Sequence, residues 1–134
     1  MTADAVYLDS SALVKLVVPE AETGALLTFL ADHPRQVTSR LAHVEVARAS
    51  ARVGLSDVGR VEAVLAQVSV SEVDAEIASL AARVRPITLR TLDAIHLATA
   101  LRLGGILAAL VTYDARQAQA GEALGLQVIA PGHG

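Results

Sequence analysis

The chain has 134 residues, a formal net charge of −3 and no cysteine, which excludes a disulfide framework, a thiolate metal site and a generally basic surface for nucleic acid. Although 53% of the residues are hydrophobic, the longest apolar run, residues 105–111, is much shorter than the roughly 20 residues of a membrane-spanning helix. The N-terminus shows no basic or cleavage-type export segment, so we expect a cytoplasmic protein that folds as one domain over residues 1–134.

Five short β-like runs alternate with Ala- and Leu-rich stretches of helical period along the chain. The runs cover residues 6–8, 36–38, 68–70, 109–112 and 126–129. Proline and glycine residues punctuate the helical stretches between them. Strands that are separated by helices predict a parallel sheet with helices on both faces, which is an α/β sandwich.

The first run stops at Asp9, and Asp114 lies just past the fourth run. In a parallel sheet, ligands bind beyond the carboxyl ends of the strands, where the strand order reverses. Both aspartates are therefore predicted at the edge where chemistry occurs. The neighbouring hydroxyls of Ser10 and Thr112 are predicted to orient carboxylates or a bound water. The alternatives are a helix cap for Ser10 and an ordinary strand residue for Thr112.

The helix predicted after the second run carries Glu45 at the border of its buried stripe and ends near Gly54. We expect that stripe to consist of Ala42, Val46, Ala49 and Val53. Arg48 and Arg52 lie on the neighbouring face, so Glu45 is predicted to look into a cleft rather than out to water. A surface ion pair between Glu45 and one of these arginines is the alternative.

The segment LRTLDAIHLATALRLG predicts a second helix, on which Asp93 shares a face with Leu97 and Ala100. An ionised carboxylate on an apolar stripe is costly unless a positive group compensates it. The alternative for Asp93 is a first-turn acid that the helix dipole favours. For Asp9 and Asp114 the alternatives are cap or turn roles.

Taken together, Asp9, Glu45, Asp93 and Asp114 predict a cation site, because carboxylates that converge repel one another. The chain has no cysteine and no suitably spaced histidine pair, so the expected ion is Mg²⁺, with Mn²⁺ as a substitute. His96 lies one turn after Asp93. We interpret it as a packing or hydrogen-bonding residue rather than a ligand.

Four segments resemble the PIN-domain family, and within it the VapC toxins of bacterial type II toxin–antitoxin pairs. They are YLDSSALVKL, SRLAHVEVARA, LRTLDAIHLATAL and LVTYDARQAQAGEALGL, in that order along nearly the whole chain. The family's site positions fall on Asp9, Glu45, Asp93 and Asp114, with Ser10 and Thr112 at its serine or threonine positions.

This resemblance implies a PIN-like three-layer sandwich around a parallel sheet of five strands in the order 3-2-1-4-5. It also implies a metal-dependent endoribonuclease, a homodimer and a VapB-like antitoxin that blocks the site.

The resulting hypothesis is a toxin ribonuclease in which the four acids hold Mg²⁺ and a metal-activated water hydrolyses RNA. Arg48, Arg52 and Lys15 are candidates for contacts to the RNA backbone. Two alternatives are a housekeeping RNA-processing PIN nuclease without an antitoxin and a catalytically silent PIN-like binding scaffold. A third, an aspartyl-phosphate hydrolase with Asp9 as nucleophile, is disfavoured by Ser11, which stands where that chemistry has a second acid.

Overall fold

A computed structural model describes residues 2–55 and 57–133 of the chain. Within these ranges, the strands are β1 (Ala5–Leu8), β2 (Gln36–Ser39), β3 (Ser69–Ser71), β4 (Leu107–Val111) and β5 (Val128–Ile129). All neighbouring strands run parallel, and their order in the sheet is β3-β2-β1-β4-β5. The predicted α/β class and strand order are therefore confirmed.

Helices fill the connections between the strands. In chain order they are α1 (Ser10–Val17), α2 (Thr23–Ala31), α3 (Leu41–Arg52), α4 (Val58–Leu65), α5 (Ala75–Ala81), α6 (Thr91–Arg102) and α7 (Ala115–Ala123), with a 3₁₀ turn at Gly104–Ile106. The carboxylates of Asp9, Asp57, Asp74 and Asp114 accept first-turn N–H groups of α1, α4, α5 and α7. These aspartates fix where the helices begin, because a first turn leaves its amides without helical partners. None of the helices in the described ranges combines the length and apolar character that crossing a membrane requires.

Strand β1 lies at the centre of the sheet, and all of its residues are buried. Side chains alternate along a strand, so Val6 and Leu8 pack on one face with residues of α1 to α4. Tyr7 packs on the other face, in a cluster with Leu97 of α6 and Ala120 of α7. Two apolar layers thus enclose the sheet, which gives the three-layer architecture that was predicted.

Helix α3 ends one residue before the last residue of its predicted buried stripe. Val53 was expected within that stripe, yet it is 66% exposed, because α3 ends at Arg52 and Val53 is its C-cap. Ser50 is buried instead, and its hydroxyl donates to the Val46 carbonyl at 2.8 Å. Gly54 follows with a φ of 84°, which glycine adopts without strain, so the predicted end near Gly54 is right.

Strands β3 and β5 start one and two residues later than predicted. Val68 donates its N–H to the Leu65 carbonyl at 3.2 Å, and Leu126 donates to the Gly121 carbonyl at 3.0 Å. Both bonds close turns at the ends of α4 and α7. These two apolar residues therefore complete the helix ends before the chain enters the sheet.

Candidate active site

The carboxyl ends of β1 and β4 meet at the point where the strand order reverses. Leu8 is in register with Val111, and the N–H of Asp9 donates to the Val111 carbonyl at 3.3 Å. Asp9 and Asp114, which follow these two strands, therefore start from neighbouring positions on one edge of the sheet. This is the edge at which the sequence predicted the site.

Asp9 is almost completely buried, and both of its carboxylate oxygens accept hydrogen bonds. The Ser11 hydroxyl and the Ala12 N–H donate to Oδ1 at 2.6 and 3.1 Å, and the Thr112 hydroxyl donates to Oδ2 at 2.5 Å. Burial nevertheless raises the pKa of Asp9, against the opposing effects of these hydrogen bonds and of His96. The carboxylate thus caps a helix and also occupies a position where a nearby cation would stabilise its charge.

Ser11 is a contact residue that the sequence analysis did not select for the site. Its hydroxyl oxygen lies 3.3 Å from Thr112 Oγ1 and accepts the Tyr113 N–H at 2.8 Å, in addition to donating to Asp9. It therefore joins the start of α1 to the end of β4. The spacing carried a signal, because a serine two residues after an N-cap aspartate can bond back to it within the first turn.

Glu45, on α3, is half-buried and is held through one carboxylate oxygen. The Ser10 hydroxyl donates to Oε1, and Nε2 of His96 lies 2.7 Å from the same oxygen. Burial alone would raise the pKa of Glu45, but the bonds from His96 and Ser10 outweigh it and lower the pKa. Ser10 thus orients the carboxylate of Glu45 and not that of its neighbour Asp9.

His96 lies in the middle of a chain of buried hydrogen bonds. Its side chain is 2% exposed, with the Tyr7 hydroxyl 2.6 Å from Nδ1 and the Glu45 carboxylate 2.7 Å from Nε2. Burial raises the pKa of Tyr7, so the hydroxyl keeps its proton and acts as the donor to Nδ1. Nε2 then carries the ring proton and donates to Glu45. His96 therefore has the hydrogen-bonding role that the sequence predicted.

Asp93 lies in the first turn of α6 and is half-buried. Burial raises its pKa, and so does the charge of Asp114; Glu45 adds to the rise, while His96 and Arg90 oppose it. Three carboxylates therefore share one electrostatic environment, in which ionisation of Asp93 is unfavourable without further positive charge.

Asp114 has the cap role that the alternative interpretation assigned to it. Its Oδ1 accepts the N–H groups of Arg116 and Gln117 at 2.9 and 3.1 Å, which caps α7. The second oxygen, Oδ2, takes no part in this cap. Because an N-cap aspartate uses one oxygen, the cap is compatible with a place in a cation site.

Gln117 is a second residue that the sequence analysis missed. Its side chain is completely buried in the first turn of α7, and neither Oε1 nor Nε2 has a hydrogen-bond partner in the described part of the chain. Buried polar groups without partners are rare in folded proteins. This one lies three residues after Asp114, but the sequence pattern does not set it apart from an exposed glutamine.

The carboxylate groups of the site are the kind of ligand that binds a hard divalent cation. Asp9, Glu45, Asp93 and Asp114 supply carboxylate oxygens, which Mg²⁺ and Mn²⁺ prefer. Burial and the charges of neighbouring carboxylates raise the pKa of Asp93, and a bound cation would offset both effects. As the side chains are placed, no group of three acidic or histidine residues within 2–55 and 57–133 is positioned to hold one ion. Binding through three of these acids therefore needs side-chain movement or intervening water.

Arg48 and Arg52 are exposed on α3, where they line a cavity of about 290 Å³ together with Ala51. Among the described residues, neither guanidinium forms an ion pair with a carboxylate. The alternative of a Glu45 surface pair with these arginines is therefore not realised, and both remain available to a ligand.

Lys15 is not available for RNA, which corrects the prediction. Its ammonium lies 2.9 Å from Glu22, 3.3 Å from Glu20 and 4.6 Å from the centroid of the Tyr113 ring. Burial would lower the pKa of Lys15, but its hydrogen bonds to Glu22 and Glu20 outweigh that effect and raise the pKa. The turn between α1 and α2 brings both glutamates back to the lysine, a contact that helical period does not encode.

Comparison with known proteins shows the family of this chain. The PIN domain family matches residues 6–123 of the chain. Ribonuclease VapC46 of Mycobacterium tuberculosis is 48% identical over 127 residues, which cover 95% of this chain and 98% of that protein.

Two solved structures share the fold at low identity. VapC20 of Mycobacterium tuberculosis, described as a sarcin–ricin loop cleaving toxin, aligns with a TM-score of 0.73 at 20% identity, over 94% of this chain and 99% of that one. A toxin–antitoxin complex from Klebsiella pneumoniae aligns with a TM-score of 0.67 at 22% identity, over 84% of this chain and 88% of that one. The family match over most of the chain, together with the 48% identity to VapC46, shows that this chain belongs to the PIN-domain family, in its VapC branch.

Proposed function

We propose that this chain is a metal-dependent endoribonuclease that acts as the toxin of a VapBC-type toxin–antitoxin pair. The observation that carries the proposal is the 48% identity to Ribonuclease VapC46 along nearly the full length of both chains. The shared environment of the carboxylates also supports the proposal. A half-buried acid with a raised pKa, such as Asp93, destabilises the fold when it is ionised, and proteins keep such residues where they bind a ligand.

The proposed cofactor is Mg²⁺, with Mn²⁺ as a substitute, held by Asp9, Glu45, Asp93 and Asp114. The chemistry that such an ion supplies is a more acidic water and a partly neutralised phosphate. No side chain acts as nucleophile in this proposal.

Hydroxyl and imidazole groups of the chain keep two of these acids in position. Each donor offers its proton to a carboxylate and so favours the ionised form that binds a cation. The donors are Ser11 and Thr112 on Asp9, and Ser10 and His96 on Glu45.

RNA is the proposed substrate, and Arg48 and Arg52 are proposed contacts to its backbone. They lie one and two turns after Glu45 on α3 and are exposed. A chain with a net charge of −3 needs such local positive groups to attract a polyanion. With 2% aromatic residues, recognition is expected to rest on shape and on the exposed single strand.

A VapB-like antitoxin is the proposed partner, and a homodimer is the proposed functional unit. The fold shared with the toxin–antitoxin complex from Klebsiella pneumoniae supports the first part. Exposed large apolar side chains offer contact area for either interface; they include Leu27, Val44, Val58, Ile87 and Leu92. Because RNA is the proposed substrate and an antitoxin is the proposed partner, the proposed site of action is the cytoplasm.

Cleavage of a labelled single-stranded RNA by the purified protein tests the catalytic proposal. Activity should need Mg²⁺ or Mn²⁺, vanish in EDTA and fail to return with Ca²⁺, whose looser coordination positions an attacking water poorly. Glu45→Gln, which keeps side-chain size beside His96, should lose at least about 100-fold in rate. Activity that persists after exhaustive chelation would contradict the metal requirement.

Expression with and without the neighbouring open reading frame tests the toxin role. Growth should stop when the chain is expressed alone, recover on co-expression, and continue normally with Glu45→Gln. Normal growth at high levels of a protein that cleaves RNA in vitro would favour a housekeeping nuclease instead. Retained Mn²⁺ binding without any cleavage would favour a silent scaffold.

A further inference from the structure

A cavity of about 630 Å³ lies between residues 85–89 and helix α7. The residues that line it include the exposed Arg85 and Arg116 and the apolar Leu89, Ala120 and Leu124. Its volume falls within the roughly 300–1,000 Å³ of small-molecule sites. A space with both cationic and apolar lining suits a ligand that carries a charged group and a flat apolar one.

This cavity adjoins the acidic residues through two chain segments. Arg116 follows Asp114 by two residues, and its N–H donates to the Asp114 carboxylate at 2.9 Å. Leu89 stands two residues before α6, whose first turn carries Asp93. Helices α6 and α7 pack together, with Leu97 of α6 and Ala120 of α7 in one buried cluster. The cavity therefore lies beside one flank of the proposed active site.

The two arginines of this cavity are not neutralised by the protein. Of the other exposed arginines, Arg35 pairs with Asp4, Arg40 with Glu72 and Arg102 with Asp74. Within the described residues, no ion pair forms at Arg48, Arg52, Arg60, Arg83 or Arg90. Across the described residues, no carboxylate oxygen comes within 4.0 Å of the Arg85 or Arg116 guanidinium. Two unpaired guanidinium groups next to carboxylates would attract a phosphate that the acids alone repel.

We propose, on the basis of the ribonuclease function proposed above, that this cavity binds the nucleotide next to the cleaved bond of a single-stranded RNA. Arg85 and Arg116 contact its phosphate, since a guanidinium presents a planar fork of donors to phosphate oxygens. Leu89 and Leu124 contact its base, which finds few aromatic partners in this chain.

The rival path for the RNA runs along α3. The cavity beside Arg48 and Arg52 is smaller, about 290 Å³, and Ala51 is the one apolar residue in its lining. That surface offers charge without a comparable apolar contact, so it suits a backbone phosphate and not a whole nucleotide. The two RNA paths therefore predict different effects of arginine substitutions on RNA binding.

Binding of a short fluorescein-labelled single-stranded RNA, measured in EDTA to suppress cleavage, separates the two paths. Arg85→Gln/Arg116→Gln should weaken binding at least about tenfold, because each charge-assisted hydrogen bond lost is worth that much. It should also reduce the slope of log affinity against log salt by about 1.4, since each neutralised phosphate of a single strand contributes about 0.7.

Two further variants complete the comparison. Arg48→Gln/Arg52→Gln tests the rival path. Arg35→Gln/Arg60→Gln is the control for an equal loss of charge, because Arg35 precedes β2 at the opposite edge of the sheet and Arg60 lies on α4. All of these side chains are exposed, so the melting temperatures should stay near that of the parent and confirm folding.

The inference is supported if Arg85→Gln/Arg116→Gln lowers affinity and slope more than the control does, whether or not the α3 variant also lowers them. If the affinity and slope of Arg85→Gln/Arg116→Gln instead match those of the charge control, the inference is overturned and the ribonuclease proposal stays intact. A parent protein that neither binds this RNA in EDTA nor cleaves it with Mg²⁺ would overturn the proposed function and this inference with it.

Discussion

Asp9 and Glu45 carry the same charge, yet their pKa values shift in opposite directions. Burial raises the pKa of Asp9 although two hydroxyls donate to it. Glu45 is also partly buried, but the imidazole of His96 lies 2.7 Å away and lowers its pKa. The protein itself thus keeps Glu45 ionised, whereas Asp9 depends more strongly on an added cation.

Tyr7→Phe tests whether His96 orients Glu45. The change removes the hydroxyl that donates to Nδ1 and leaves a buried ring nitrogen unpaired, which lowers the free energy of unfolding by roughly 1–3 kcal/mol. RNA cleavage should fall by about 10- to 100-fold, which is the usual effect of losing a group that orients a metal-binding residue. The loss should appear in kcat more than in KM.

Tyr113→Phe is the matched control for Tyr7→Phe. The Tyr113 hydroxyl donates to the Pro131 carbonyl at 2.8 Å and so bonds away from the carboxylates. Its removal should lower stability by roughly 0.5–1.5 kcal/mol and leave kcat near that of the parent. Equal losses of kcat in both variants would mean that Tyr7 acts through stability alone.

Individual side-chain partners were harder to predict than the positions of the acids. Asp9 and Asp114 follow from the ends of buried strands, which the sequence marks clearly. The choice between Ser10 and Ser11 depends on rotation about the first turn of α1, which sends one hydroxyl to Glu45 and the other to Asp9. Such a choice is set by neighbours from distant segments, so local pattern does not contain it.

At the scale of elements, hydrophobic period and glycine placement encode structure locally, and the five predicted strands are all present. The error at Val53 shows the limit of this signal: the apolar period continues past the residue where α3 ends. Period predicted a parallel sheet, but the order 3-2-1-4-5 came from the family resemblance. Strand pairing depends on long-range contacts such as Leu8 with Val111, which no local window contains.

Gly121 sets the distance between α7 and the sheet. A Cβ at this position would lie 2.9 Å from Leu110 Cδ2 and 3.1 Å from Val128 Cγ2, closer than the roughly 3.5–4.0 Å of favourable carbon contacts. Gly121→Ala should therefore destabilise the protein by roughly 1–3 kcal/mol, an overpacking penalty that outweighs the better helix propensity of alanine. Urea or thermal unfolding measures this change.

Gly24→Ala on α2 provides the comparison for Gly121→Ala. Outside its own turn of α2, no atom of the described residues lies within 4 Å of its added Cβ, so the substitution should raise stability by roughly 0.4–1 kcal/mol through the entropy of the unfolded chain. A stabilised Gly121→Ala would show that α7 moves away from the sheet without penalty.

Across the whole molecule, positive and negative charges are arranged differently at the carboxyl edge of the sheet and elsewhere. Surface acids such as Asp4, Glu72 and Asp74 each pair with an arginine. At the carboxyl edge, by contrast, burial and neighbouring carboxylates raise the pKa of Asp93. A half-buried acid that lowers the stability of the metal-free fold is the pattern expected of a functional site.

Asp93→Asn measures this loss of stability in the metal-free protein. With EDTA present, the variant should melt at the same or a higher temperature than the parent near neutral pH, because ionised Asp93 is unfavourable in the fold. A raised pKa means that the folded parent binds the proton more tightly than the unfolded chain, so the parent gains stability as pH falls. The advantage of the variant should therefore disappear below about pH 3.9, the usual pKa of an unfolded aspartate.

Mn²⁺ should reverse the order of the two melting temperatures. An ion that binds only the folded state stabilises it by mass action, so the parent should gain stability with added Mn²⁺ and Asp93→Asn should gain much less. RNA cleavage by the variant should fall at least about 100-fold. If Asp93 serves only the dipole of α6, neutralisation should instead lower stability by about 0.3–1 kcal/mol and leave cleavage near normal. A destabilised but fully active variant would remove Asp93 from the proposed site.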